Sequence, residues 1–152
     1  MTRPAPDFLA IFQTLANHKV RYIVVGGVGA VLQGAPVATF DLDLVHSRDS
    51  ENVRRLIAAL RDLDAHYRTD TRARRIPDQS HLSAPGHQLL MTRYGPLDIL
   101  GAIGSGRGFD ELRAHTVELE VSAGLSIQVL DLATLIQIKE EAVKKIWRRC
   151  RS

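Results

Sequence analysis

Two carboxylates, Asp41 and Asp43, stand one residue apart inside the apolar run FDLDLV, and two adjacent glycines, Gly26 and Gly27, follow the apolar run YIVV. On a strand, alternate side chains share a face, so Asp41 and Asp43 are expected to project the same way, ~6.6 Å apart along the backbone. Two like charges among Leu42, Leu44 and Val45 are costly unless a cation neutralises them. Mg²⁺ fits that role, being a hard ion that takes oxygen ligands while keeping room for water and substrate phosphates. The glycines offer the other half of a phosphate site. Without Cβ atoms, the backbone N–H groups where strand turns to helix can approach a polyphosphate closely. Order and spacing together point to metal-dependent chemistry on a nucleotide.

Other readings of these residues fail on spacing. GGVGAVLQG has Leu32 where the dinucleotide fingerprint needs its third glycine, and the carboxylates arrive too soon for a strand, helix, strand unit of about 30 residues. No G-x-x-x-x-G-K-[ST] string occurs. The six histidines lack zinc-ligand spacing, and there is no G-x-S-x-G elbow. His46 reads as a strand-end histidine. A D-x-D sugar transferase needs a larger nucleotide-binding framework than 152 residues supply.

From Tyr22 to about Ala142 the chain resembles the minimal nucleotidyltransferase superfamily, whose motif is a hydrophobic residue, G, then G or S, a spacer, and D-x-D on the next strand. Its nearest likeness is to the bacterial branch associated with abortive infection and toxin-antitoxin systems, through the string GPLD at Gly95 to Asp98 and the DLATLIQIK helix at Asp131 to Lys139. The resemblance implies an α/β fold with a small mixed sheet flanked by helices. It implies Asp98 as a third carboxylate that joins Asp41 and Asp43 as catalytic metal ligands, with two Mg²⁺ ions, or Mn²⁺ in their place. Gly26, Gly27, Thr39 and Lys139 become nucleotide-binding residues, and an NTP such as ATP the substrate. The implied activity moves a nucleoside monophosphate to a hydroxyl of an RNA, a protein or a small molecule. The rival reading is a nucleotide- or protein-binding module of the same fold that transfers nothing, one half of a toxin-antitoxin pair completed by a partner protein.

The elements that must position these residues are legible in outline. Asp7 is expected to cap a helix to about His18 that turns Phe8, Ile11, Phe12 and Leu15 to one side. Val20 to Val25 reads as a strand, Gly27 to Gln33 as a short helix, and Thr39 to His46 as the D-x-D strand. Ser50 is expected to cap a helix with Val53, Leu56, Ile57, Leu60 and Leu63 in a buried stripe. Residues 64 to 87 read as an irregular connection. Strands Gln88 to Arg93 and Leu97 to Leu100 flank a turn at Tyr94-Gly95-Pro96, GAIGSGRG reads as a flexible turn, and Thr116 to Val121 pairs with Leu125 to Leu130. Asp131 caps a last helix whose stripe, Leu132, Leu135, Ile136, Val143, Ile146 and Trp147, contains Lys139. A lysine in a buried stripe either snorkels or meets an anion, and the resemblance favours the anion.

Composition supports one globular domain spanning residues 1–152. The chain is 45% hydrophobic and 24% charged, with a net charge of +3. Basic clusters at Arg68, Arg72, Arg74 and Arg75 and at the end of the chain could hold phosphates or remain solvated. A single cysteine, Cys150, cannot close an internal disulfide. No segment reaches the roughly 18 apolar residues of a membrane span, and the opening residues lack a signal pattern, so a cytoplasmic protein without membrane partners is expected.

Overall fold

The computed structural model describes residues 6–34, 41–69 and 72–151. The elements run α1 (Phe8–Asn17), β1 (Tyr22–Val25), α2 (Gly26–Leu32), β2 (Leu42–His46), α3 (Ser50–Asp62), β3 (His66–Tyr67), α4 (Gln79–Ser83), β4 (His87–Thr92), β5 (Gly95–Leu100), α5 (Phe109–Leu112), β6 (Thr116–Ser122), β7 (Leu125–Leu130) and α6 (Leu132–Cys150). The strands form one mixed sheet in the order β3-β4-β5-β2-β1-β7-β6. β1 runs antiparallel to β2 and parallel to β7, and β2 runs parallel to β5. This is the mixed α/β sheet flanked by helices that the sequence leads one to expect.

Alternation along the strands divides the core between two faces. On the first, Val24, Leu42, Leu44, Leu97 and Ile99 pack with Ile11, Phe12 and Leu15 of α1, Val53, Leu56 and Leu60 of α3, and Leu82 of α4. On the second, Ile23, Val25, Val45, Leu100 and Leu130 pack with Ala30 of α2, Leu112 of α5, and Leu135 and Ile138 of α6. Buried Asn52 ties the first strands to α3. Its side chain accepts from Arg21 N at 2.7 Å and donates to Arg21 O at 3.0 Å and Ser47 O at 2.7 Å.

Several expectations need correction. Helix α3 is capped by Asp49, which accepts from Asn52 N at 2.9 Å, so Ser50 is its first helical residue. The span read as an irregular connection contains β3, α4 and the start of β4, because a two-residue strand and a five-residue helix are too short to show periodicity. Helix α5 follows the glycine-rich turn, where Ile103 and Arg107 form a bridge. The largest difference concerns α6. Asp131 caps it as expected, accepting from Thr134 N at 2.7 Å. Only Leu135 and Ile138 are buried, while Ile136, Val143, Ile146 and Trp147 are exposed, Trp147 by 63%. Helical spacing marks a stripe but does not say whether anything covers it.

Candidate active site

The acidic residues come together through strand register. Val25 of β1 pairs with Asp43 of β2, Asp43 with Asp98 of β5, and Asp98 with Leu89 of β4. Arg68, just past β3, extends the row by donating its backbone N–H to Leu89 O at 3.1 Å. Residues opposite one another in a ladder share a face, so Asp43, Asp98, Leu89 and Arg68 all rise from the second face of the sheet. Asp41 immediately precedes β2, and its side chain is half exposed. The Arg68 guanidinium donates from Nη2 to Asp98 Oδ1 at 2.6 Å, and its Nη1 lies 3.8 Å from Asp41 Oδ1.

Crowding is strongest at Asp43. Burial, a hydrogen bond with Asp98, and the charges of Asp98 and Asp41 push its carboxyl up to about 7, opposed by Arg68. At such a value the folded chain holds a proton that an unfolded Asp, at 3.8, has already released. Stability must therefore fall as pH rises between these two values. In chelator-treated protein we expect a loss of about 1–2 kcal/mol across that window, reduced from the full shift because the group is only partly buried. Thermal melts against pH check this: Asp43→Asn should lack the slope, and an equal slope in the variant would assign it to other groups.

Gly26 sits against the same carboxylate. Its φ is +75°, and a Cβ there would collide with Asp43 Oδ2. Gly27 is the next residue of α2. Thr39 falls outside the described residues. Lys139 is exposed on α6, lining a shallow apolar groove with Ile136, Glu140, Val143 and Lys144. That groove contains none of the three carboxylates. On this placement Lys139→Met should alter Mg·NTP affinity by less than about twofold, under half a kcal/mol. A tenfold loss by isothermal titration would bring the lysine into the cleft.

Hard oxygen donors, mutual repulsion that a cation would relieve, and the space kept open at Gly26 all fit a divalent metal at Asp41, Asp43 and Asp98. Among the described residues, no three acidic, histidine or cysteine side chains converge tightly enough to enclose one. Among the described residues, Arg68 meets two of these carboxylates, Asp98 and Asp41. Sequence reasoning placed Arg68 only in a basic cluster, since nothing local reveals that it continues the ladder to Leu89. His46 is buried at the end of β2, where Nε2 lies 2.6 Å from the Leu82 carbonyl. Burial pushes its pKa down, and it is a core histidine.

The sequence model of the aminoglycoside-2''-adenylyltransferase family matches residues 7–85, more than half of the chain and including both glycines, Asp41, Asp43 and Arg68. The chain belongs to that family. It is accordingly a nucleotidyltransferase. Solved structures agree on the fold of this adenylyltransferase-family protein. A candidate nucleotidyltransferase from Thermotoga maritima superposes with a TM-score of 0.60 at 20% identity, covering 95% of this chain and 88% of its own. The lincosamide antibiotic adenylyltransferase LnuA, solved with lincomycin bound, gives a TM-score of 0.57 at 19% identity, covering 86% and 82%. No curated protein matches. Among the described residues, no helix is long and apolar enough to cross a membrane.

Proposed function

We propose that this chain acts as a single domain that transfers a nucleoside monophosphate from an NTP to a hydroxyl acceptor and releases pyrophosphate. The observation that carries the reading is the cross-strand row in which Asp43 and Asp98 stand side by side, next to Gly26. The adenylyl group in the family's description makes ATP the nucleotide we expect. Mg²⁺ held by Asp41, Asp43 and Asp98 would supply positive charge that offsets the triphosphate and the charge developing at the α-phosphorus.

The remaining steps fall to the chain's own groups. Backbone N–H groups at Gly26 and Gly27 take the triphosphate, which can lie close because neither residue has a side chain. Asp98, the more buried carboxylate, accepts the proton of the attacking hydroxyl. The new bond joins the acceptor oxygen to the α-phosphorus, the bond from that phosphorus to the β-bridging oxygen breaks, and pyrophosphate leaves.

Incubating the purified protein with each α-labelled NTP, Mg²⁺ and a cell lysate tests this. Transfer of label to an acceptor supports it; absence of both transfer and Mg·NTP binding would sink it. A protein partner is a second reading, favoured by the exposed Ile136, Val143, Ile146 and Trp147 on α6. In a toxin-antitoxin arrangement that stripe would be the surface the partner covers.

A further inference from the structure

The row across the sheet has a direction. Gly26 and Asp43 lie at one end, Asp98 follows, and Leu89 and Arg68 lie beyond it. If triphosphate occupies the glycine end, as proposed above, in-line displacement requires the attacking hydroxyl to come from the side opposite the departing pyrophosphate. That side is the β4–β3 wing. Among the described residues, the second core cluster takes none from β3 or β4, and Leu89 is 43% exposed. The chain therefore presents an apolar floor at Leu89 beside the carboxylates, with a guanidinium at its outer rim.

Arg68 is held there by its backbone as well as its side chain. The N–H bond to Leu89 fixes the residue to the sheet, so release of the guanidinium from Asp98 would leave it at the rim. Arg72, Arg74 and Arg75 are exposed on the same connection, with Arg74 paired to Asp64 at 2.6 Å. A planar fork of donors matches phosphate geometry.

We propose that Arg68 is a specificity-determining residue on the acceptor side, which binds a phosphate adjacent to the attacking hydroxyl. The inference rests on the nucleotidyl-transfer reading but assigns the acceptor class independently of the nucleotide. A phosphate-flanked hydroxyl could belong to the end of a nucleic-acid strand or to a small phosphomonoester. The apolar floor at Leu89 would carry the part of the acceptor next to the hydroxyl, a base or a sugar face. Chemistry is that written above: the hydroxyl oxygen gains the nucleotidyl group, its proton passes to Asp98, and pyrophosphate departs.

The test uses the full chain with Mg²⁺, α-labelled ATP and three acceptors: a short RNA with a free 3′-hydroxyl, a nucleoside monophosphate, and an aminoglycoside. Label on the RNA or the monophosphate is expected, and which of the two is labelled identifies the source. Arg68→Gln should lower kcat/KM for that acceptor at least tenfold, and Arg68→Lys should restore part of it. In parallel, the RNA and the monophosphate are titrated by fluorescence anisotropy and calorimetry into unmodified protein and Arg68→Gln without ATP. Weaker binding to the variant supports the proposal whether or not label is transferred. Equal binding to both proteins, or label on the aminoglycoside alone, overturns it. If Mg·ATP itself fails to bind, the catalytic reading falls, while the titrations still decide the role of Arg68.

Discussion

Asp98→Asn should abolish nucleotidyl transfer, lowering kcat by about a thousandfold or more, while Mg·NTP affinity changes by no more than about threefold. The asymmetry follows from position. Asp98 stands between Asp43 and the β4 wing, in the middle of the row, whereas Asp43 lies on the glycine side, against Gly26. An amide keeps the volume of the carboxylate and can still hydrogen-bond, but it cannot accept a proton from the attacking hydroxyl. Removing one of three neighbouring negative charges also relieves Asp43, so folding should not suffer. Melting curves with single-turnover kinetics separate the effects. A variant that keeps transfer within tenfold would remove Asp98 from the chemistry. If the unmodified protein transferred nothing and Asp98→Asn changed only binding, the site would be a nucleotide-holding module.

The parts of this site legible in the sequence are those with local signatures. The apolar runs around Asp43 and before Gly26 marked β1 and β2, and the cap residues Asp7 and Asp131 marked the starts of α1 and α6, because a side chain accepting a nearby N–H is a short-range interaction. The reading of Ser50 as the cap of α3 failed at the same scale: its neighbour Asp49 is as good a capping residue, and the accepting oxygen is Asp49 Oδ1. Arg68 was invisible for a different reason. Its role depends on β3 pairing with β4 and β4 with β5, so that residues 30 apart in the chain meet at 2.6 Å. Lys139 erred the other way. Apolar spacing around it suggested a buried face, but Leu135 and Ile138 seat the helix while Ile136 and Val143 point to solvent. A single stripe cannot report which of its two edges meets the sheet.

Gly26→Ala offers the sharpest comparison, because a second glycine supplies its control. Gly26 and Gly124 both have φ of +75°, a backbone region that costs a residue with a Cβ about 1–2 kcal/mol. At Gly124 no atom of the described residues beyond its chain neighbours lies within 4 Å of an added Cβ, so Gly124→Ala should lose only that amount, about 2–8 °C in Tm for a chain of this size. At Gly26 the added Cβ also meets the Asp43 carboxylate. Either Asp43 must turn away from Asp98, or α2 must shift from the end of β1. Gly26→Ala should therefore melt below Gly124→Ala and lose transfer by at least about a hundredfold, the scale on which a misplacement of about 1 Å disables a positioned group. Equal melting temperatures with transfer retained in both variants would mean that the space beside Asp43 is not needed. A deeper loss at Gly26 than at Gly124 would tie the absence of a side chain there to the carboxylate, and so to the phosphate and metal chemistry proposed for this row.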